Sequence, residues 1–404
     1  MIERSTGNVK RLGVLTGGGD VPGLNAAIKA IAYRAEPLGI QVLGLRAGWE
    51  GITFLNRNRP LSELIFREED PDTWERGYVL PLNRLNTRNI DRFGGTILQS
   101  TRTNPANVKV ANLPPHLASY AENRDPAERV DLTREVLANI EFLGLDGLIV
   151  IGGDDTLSYA AVLRKQGVKV WGIPKTMDND VPGTEYCIGF QTAINRAAEY
   201  IERMRSTAGS HRETILFRLF GRDAGFTALE TAIVTWADRV LIPEVPANID
   251  RLADLIAHDR CNPSGYSIVV LSEGANLGMP VPEVGPPDAY GHRRKANVAE
   301  FLAEELSKRL PGVRFLPVDL TYILRSGAPD WYDKHMAVFY ANLVMSLVEQ
   351  GVDGVMAAFR HGEYIYTDIP GKELPPRRVN PADYNANRYR PDFEHITGPY
   401  RPQT

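Results

Sequence analysis

The chain has 404 residues, 43% hydrophobic and 24% charged, long enough for two or three domains and ordinary in composition for a globular protein with packed cores. Its net charge of -4 leaves no electrostatic footprint for nucleic acid or a membrane surface. No apolar run nears the ~20 residues of a membrane span, the opening MIERSTGNVKR lacks the apolar core of a signal peptide, and the two cysteines, Cys187 and Cys261, form no metal-ligand pattern and read as reduced thiols of a cytosolic protein.

From the amino terminus, residues 12–16 predict a first strand that runs into Gly17-Gly18-Gly19-Asp20, and residues 26–34 predict a helix. Strand, glycine turn and helix is the geometry that aims backbone N–H groups at an anion. The turn is neither GxGxxG nor a P-loop, and no P-loop occurs in the chain, which disfavours a dinucleotide site or a Walker-type ATPase. Residues 40–45 predict a second strand and 48–62 mostly loop. Residues 94–105, GGTILQSTRTNP, combine two glycines, small hydroxyl side chains and one arginine. That is the composition of a phosphate loop with Arg102 as its charge. Residues 105–126 read as an irregular excursion and 127–143 as a helix.

Residues 146–180, DGLIVIGGDDTLSYAAVLRKQGVKVWGIPKTMDND, are the organising stretch. The run 148–151 is of the kind buried in parallel sheets. Gly152-Gly153 ends it, Asp154, Asp155 and Thr156 sit where a helix begins, and 157–165 has helical spacing. A second run, 168–173, leads into Pro174-Lys175-Thr176-Met177-Asp178-Asn179-Asp180. Two strand ends thus deliver polar clusters, and open α/β sheets bind ligands at the carboxyl ends of their strands. Asp154 and Asp155 suit Mg²⁺, which takes one or two carboxylates with phosphates and waters, although adjacent aspartates also serve as turn and N-cap residues. Asp178 and Asp180 share a face if the segment is extended. One of them could accept a proton from a hydroxyl, and Lys175 and Thr176 could contact phosphate.

Further along, helices are predicted over 191–206, 226–236, 249–258, 295–310 and 333–350, and strands over 215–220, 240–242 and 267–271. Residues 314–322 read as extended, 279–292 as a loop, and the proline-rich chain from 370 onward as a segment that wraps a surface. Polar groups again follow the strands: Gly221-Arg222-Asp223, Pro243-Glu244 and Ser272-Glu273-Gly274, with Leu324-Arg325-Ser326 after the extended segment. The alternation implies an α/β fold of two doubly wound lobes, with mainly parallel sheets covered by helices and a cleft between them. Phosphoryl transfer needs a metal, cationic clamps and an aligned nucleophile, and those residue types recur at these strand ends.

The segments GVLTGGGDVPGLNAAI, GGTILQSTRTNP, GLIVIGGDDTL, GIPKTMDNDVPGTEYCIGFQTA, FGRDAGF, IPE and TYILRSG occur in the order found in the phosphofructokinase A family, which the chain resembles from residue 12 to about 362. The resemblance implies Rossmann-like lobes: 1–189 plus about 324–362 for donor phosphate and Mg²⁺, and about 190–323 plus about 363–404 for the sugar phosphate. It implies Mg²⁺-dependent transfer of phosphate to the 1-hydroxyl of fructose 6-phosphate by a cytoplasmic homodimer or homotetramer. By the same resemblance Gly19, Arg102, Asp155, Thr156 and Lys175 serve the donor, and Asp154 binds Mg²⁺. Asp178 is the base, with Thr176 and Asp180 beside it. Phe220, Gly221 and Arg222 match an MGR motif whose arginine stabilises the transferring group. Glu244 binds sugar hydroxyls, and Tyr322 and Arg325 contact the sugar's 6-phosphate.

Two positions separate branches of that family. ATP-dependent members usually carry glycine after GGD and read PGTIDND, whereas this chain reads GGDD and PKTMDND, with Asp155 and Lys175. It therefore looks like the pyrophosphate-dependent branch, whose nearly reversible reaction serves glycolysis or gluconeogenesis. Asp155 puts bulk and charge where a nucleotide's α-phosphate would lie, and Lys175 suits a compact polyanion. Glu213 falls where the family usually presents an arginine from a neighbouring subunit to the 6-phosphate, with Arg212 and Arg314 as nearby cations. Alternatives are ATP as donor, another acceptor such as sedoheptulose 7-phosphate, and an idle regulatory subunit that binds phosphorylated ligands. Asp154, Asp178 and Arg222 argue against the last, because binding alone requires no general base.

Overall fold

The structure, a computed structural model, describes residues 9–75, 77–285 and 294–397. The apolar runs become strands: β1 (Arg11–Thr16), β2 (Gln41–Leu45), β3 (Val79–Leu82), β4 (Gly147–Gly152), β5 (Val170–Pro174), β6 (Thr214–Leu219), β7 (Arg239–Leu241), β8 (Ser267–Ser272), β9 (Phe315–Asp319), β10 (Val355–Arg360) and β11 (Glu363–Asp368). They sort into two sheets. One is 7-stranded, in the order β11-β10-β5-β4-β1-β2-β3. Its β10, β5, β4, β1 and β2 run parallel, and antiparallel β11 and β3 close its edges. The other is 4-stranded, in the order β9-β6-β8-β7, and parallel throughout.

The residues of β4 explain why it is central. Leu148, Ile149, Val150 and Ile151 are all fully buried. Ile149 and Ile151 face one apolar cluster, Leu148 and Val150 the other, as the two-residue period of a strand covered on both faces requires. Helix α1 (Leu24–Ala35) covers the first face through Leu24, Ile28 and Ile31. Helix α2 (Asp154–Lys165) covers the second through Leu157, Ala160 and Leu163. Burying one such side chain stabilises by roughly 1.5–3 kcal/mol.

Helix α3 (Phe190–His211) carries the chain from the first sheet to the second. It has no capping side chain of its own. Asp333, at the start of helix α7 (Trp331–Gln350), supplies the cap. Its fully buried carboxylate accepts hydrogen bonds from the N–H groups of Gly189 at 2.6 Å and Thr192 at 2.8 Å, and from the Tyr186 hydroxyl at 2.8 Å. A carboxylate there satisfies amides that the helix itself leaves open, and favours the helix dipole. Between these two lie α4 (Phe226–Thr235), α5 (Ile249–Asp259) and α6 (Val298–Arg309), in the layer around the second sheet.

The structure departs from expectation in four places. Residues 48–62 are not all loop: Trp49–Phe54 and Leu61–Leu64 are short helices, held by the buried indole of Trp49. The helix read over 127–143 starts only at Thr133, because Arg129–Val130 pairs with Val108–Lys109. The β10–β11 hairpin was not anticipated. It keeps the chain in the first sheet to Asp368, so the crossing to the second lobe comes after the expected position near 362. The loop expected at 279–292 holds a short strand, Glu283–Val284, paired with Arg294–Lys295, and residues 286–293 lie outside the described residues. Among the described residues no helix is long and apolar enough to cross a membrane.

Candidate active site

The carboxyl ends of β1, β4 and β5 meet those of β6 and β8 across a cleft. At its floor Thr16 of β1 lies level with Ile151 of β4. The Gly17 N–H bonds the Ile151 carbonyl and the Gly18 N–H bonds the Thr101 carbonyl, both at 3.0 Å. These two amides, expected to face an anion, are therefore used within the fold. The glycines answer a packing demand instead. A Cβ on Gly17 would lie 2.5 Å from Cγ2 of Thr156, and one on Gly152 would also collide with that side chain. Thr156 is 2% exposed. Its side chain, expected at the donor phosphate, is the wedge that locks the two glycine turns together.

Lys175, at the end of β5, runs beneath the glycine loop and donates to the Gly19 carbonyl at 2.5 Å. It is 4% exposed. Burial, with Arg102 nearby, lowers its pKa to about 8, while Asp20 and Asp154 pull the other way. Arg102 is exposed. With Gly18, Gly19, Tyr322 and Arg325 it lines a cavity of about 510 Å³. The Arg325 guanidinium lies 4.5 Å from the Tyr322 ring and 5.7 Å from the Phe220 ring, with Nε 3.6 Å from Asp20. Tyr322 and Arg325, expected on the sugar's phosphate, thus share the cavity of the glycine loop.

Asp154 opens α2 after Gly153, and its charge reaches Lys175, Asp178, Asp180 and Arg222. Asp155 follows it in the first turn of α2, half-buried, and its charge also reaches Arg222. The Asp178 carboxylate accepts the Arg222 N–H at 3.2 Å. Burial pushes its pKa up to about 7, with the charges of Glu273 and Asp154 adding to the shift and Arg222 opposing it. Asp180, 6% exposed, is raised by burial and then by Asp178 and Asp154. The segment is not extended as the shared-face reading required. Asn179 has φ 54°, and its amide donates to the Glu185 carbonyl at 3.0 Å and accepts the Cys187 N–H at 2.9 Å. This left-handed turn, favoured for asparagine, leaves the two carboxylates near enough for the charge of Asp178 to raise the pKa of Asp180. Thr176 Oγ1 accepts the Asp178 N–H at 3.1 Å, and Thr227 of α4 donates to the Met177 carbonyl at 2.6 Å. The loop is thereby tied to the second lobe.

Arg222 follows β6 after Gly221, whose φ of 125° only glycine adopts readily. Burial works against its charge, but the Asp223 carboxylate, 2.7 Å from Nε, with Asp154 and Asp155, raises its pKa further. Arg222 and Asp223 also line a second cavity of about 420 Å³ with Pro243, Asn276, Met279 and Arg378.

Glu244 Oε1 accepts the N–H groups of Gly225 and Val379, both at 2.9 Å. Through that oxygen it ties the start of α4 to the carboxyl-terminal segment, while Oε2 is buried with no hydrogen-bond partner among the described residues. Glu213 lies at the amino end of β6, away from the strand ends that form the cleft. It is 4% exposed and pairs with Arg314 at 2.8 Å. A further carboxylate, outside the expected site residues, joins the cluster. Glu273, immediately after β8, accepts a hydrogen bond from Arg218 at 3.3 Å, and its negative charge helps to raise the pKa of Asp178. Its signal was present in Ser272-Glu273-Gly274, a polar strand end like the others. Arg218, 8% exposed within an apolar strand, also reaches Asp319 at 2.5 Å.

Among the described residues no group of three His, Cys, Asp or Glu side chains could hold a metal alone. Mg²⁺ needs fewer protein ligands when phosphate oxygens and waters complete its shell. Asp154 meets that requirement. Burial first raises both Asp178 and Asp180, and the charge of Asp154 adds to each, so negative charge gathers here that a divalent cation would relieve. The residues therefore fit a metal brought with a phosphorylated ligand, and not a closed protein-only centre.

Comparison with known proteins agrees with this architecture. The profile of the family described as Phosphofructokinase matches residues 11–348. A pyrophosphate–fructose 6-phosphate 1-phosphotransferase of Dictyoglomus thermophilum is 34% identical over 379 residues, covering 93% of this chain and 97% of that protein. An ATP-dependent 6-phosphofructokinase 3 of Streptomyces coelicolor is 35% identical over 353 residues, covering 87% and 91%. A crystal structure of a pyrophosphate-dependent phosphofructokinase from Marinobacter aquaeolei superposes with a TM-score of 0.70 over 96% of this chain and 89% of that one, at 17% identity, a likeness of fold. A cleft floored by Asp154, Asp178 and Arg222, in a chain matched along most of its length, makes this protein a member of the phosphofructokinase family.

Proposed function

We propose that the chain transfers a phosphoryl group from pyrophosphate to the 1-hydroxyl of fructose 6-phosphate, giving fructose 1,6-bisphosphate and phosphate. Asp178 takes the hydroxyl proton as the acceptor oxygen attacks. Its elevated pKa suits a base working near neutrality, because the driving force for proton transfer rises with basicity. Arg222 offsets the charge that develops on the transferring group, and Lys175 and Arg102 hold the pyrophosphate. Mg²⁺, held by Asp154 together with phosphate oxygens, would supply neutralisation of the donor's charge. We further propose a homo-oligomer of dimer size or larger.

Relatives named for each donor are equally similar, at 34% and 35% identity, so the donor assignment rests on side chains. The observation that carries it is Lys175, a buried cation beneath the glycine loop, combined with Asp155 in the first turn of α2. The test is initial-rate measurement with Mg²⁺, each of pyrophosphate and ATP, and a panel of fructose 6-phosphate, sedoheptulose 7-phosphate and unphosphorylated sugars. Turnover with pyrophosphate and fructose 6-phosphate is expected. Robust ATP use with none from pyrophosphate refutes the donor, and preference for another acceptor refutes the substrate.

A further inference from the structure

We propose that Arg218, which lines neither cavity, is a positioning residue for phosphoryl transfer: it braces three neighbouring strand ends and so holds the Gly221-Arg222 turn against Asp178. This rests on the functional reading above, in which Arg222 offsets the charge of the transferring group. The rest of β6 from Ile215 to Leu219 is apolar and fully buried. A cation inside such a strand is costly unless it is paired. Arg218 is 8% exposed. One Nη donates to Asp319, the last residue of β9, at 2.5 Å, and the other donates to Glu273, just after β8, at 3.3 Å. β9 and β8 are the two neighbours of β6 in the second sheet. The guanidinium therefore bridges from one to the other across the end of β6. Its Nε is buried without a partner among the described residues, so the fork is placed for these two carboxylates at the expense of a third donor.

Both carboxylates belong to chain that holds the turn after β6. The Glu273 N–H bonds the Leu219 carbonyl at 2.8 Å, and the Gly274 N–H bonds the Gly221 carbonyl at 3.0 Å. From the other side the Leu320 N–H bonds the Arg218 carbonyl at 3.0 Å. The fit is close, since a Cβ on Gly274 would collide with the Arg222 carbonyl. From this turn the Arg222 N–H reaches the Asp178 carboxylate at 3.2 Å. The loop of Asp178 is fixed independently. Asn179 bonds Glu185 and Cys187, and the chain after β11, a carboxyl-terminal strap, holds the loop through the Arg377 N–H, which bonds the Asp180 carbonyl at 2.7 Å. The spacing of Arg222 from the base is thus set from the Arg222 side. There the charge of Asp319 also acts on Glu273. Without the arginine between them, these like charges repel and push apart the strand ends that hold the turn.

The experiment compares full-length parent, Arg218→Met, Arg218→Lys, Arg222→Ala and the Arg218→Met, Arg222→Ala double variant. kcat and KM are separated for pyrophosphate and fructose 6-phosphate, and folding is checked by circular dichroism and denaturant titration. Arg218→Met lowers kcat by about ten- to a hundredfold, the range for a slightly misplaced group. Both KM values stay within about twofold, because Arg222 acts on charge that develops only in the transition state. Arg218→Lys keeps the charge without the fork and recovers part of the loss. With Arg222 gone the brace has nothing to position, so in that background Arg218→Met lowers kcat by less than about twofold. A full additive loss in the double variant means that Arg218 merely supports the fold, and it overturns the proposal while leaving the function standing. So does a folded Arg218→Met with parental kcat. If Arg218→Met does not fold, Arg218→Lys carries the same cycle with Arg222→Ala, judged by the same additivity. A parent with no transfer from pyrophosphate to fructose 6-phosphate overturns the functional reading and this proposal together.

Discussion

Asp155→Gly tests the donor assignment most directly. Asp155 lies in the first turn of α2, half-buried, at the strand end that holds Asp154. A nucleoside triphosphate adds a third phosphate to a cleft already crowded with carboxylates. At an effective dielectric of about 20 and a separation of roughly 5 Å, one pair of like charges costs about 3 kcal/mol, which is about a hundredfold in affinity. Removing the carboxylate relieves that repulsion. The substitution has its own cost, since glycine within a helix loses about 1 kcal/mol and an anion in the first turn contributes about 0.3–1 kcal/mol. The sum is small beside the stability of an ordinary domain, so the variant folds. Initial rates with ATP and with pyrophosphate, at fixed fructose 6-phosphate and Mg²⁺, should show ATP turnover rising by about ten- to a hundredfold over the parent, with pyrophosphate use retained. Lys175→Gly should instead lose pyrophosphate use. If Asp155→Gly is folded and its ATP rate stays at the parent's floor, repulsion at this position is not what excludes ATP, and the argument fails.

Asp178→Ala should lower kcat by about 10²–10⁴-fold, the usual worth of a general base, with fructose 6-phosphate still bound in a calorimetric titration; more than a tenth of parental turnover would rule the base out. The pH profile of kcat/KM should be bell-shaped. Activity rises as Asp178 loses its proton near its elevated value of about 7, and falls above about 8 as Lys175 loses its charge. A flat profile from 6 to 9 contradicts both assignments. Glu213→Arg should destabilise the fold, because it puts a cation at a buried position next to the exposed Arg314 that Glu213 now pairs. A lower denaturant midpoint is expected by denaturant titration, and a lower KM for fructose 6-phosphate with unchanged stability contradicts the pairing.

How much was legible in the chain depended on which face of an element did the work. β4 could be read because both of its faces are buried, so its run is apolar without interruption. The β10–β11 hairpin at the sheet's edge escaped. Glu363–Asp368 is half-exposed and mixed in composition, and nothing local distinguishes an edge strand from a loop. Asp154, Asp178 and Arg222 were legible as polar groups at strand ends, where an α/β sheet presents its ligands. Thr156 and Glu244 had the same signature and different fates. Thr156 turns inward because Gly17 and Gly152 leave it room. Glu244 is claimed by the N–H of Val379, which the chain brings back from far downstream. Whether a polar side chain at a strand end faces ligand or packing is decided by what lies across from it, and no local pattern records that.

The bond from the Arg377 N–H to the Asp180 carbonyl also bears on how the protein should fail on heating. The catalytic loop depends on segments distant in the chain: the glycine turn after β1, the start of α4, and the carboxyl-terminal strap. Such segments release before a buried strand such as β4 does, since local openings span a wide range of free energy. Inactivation should therefore precede melting. In a temperature ramp the rate of phosphotransfer should decline while far-ultraviolet circular dichroism still reports intact helices, and protease should cut the chain near the strap in that same interval.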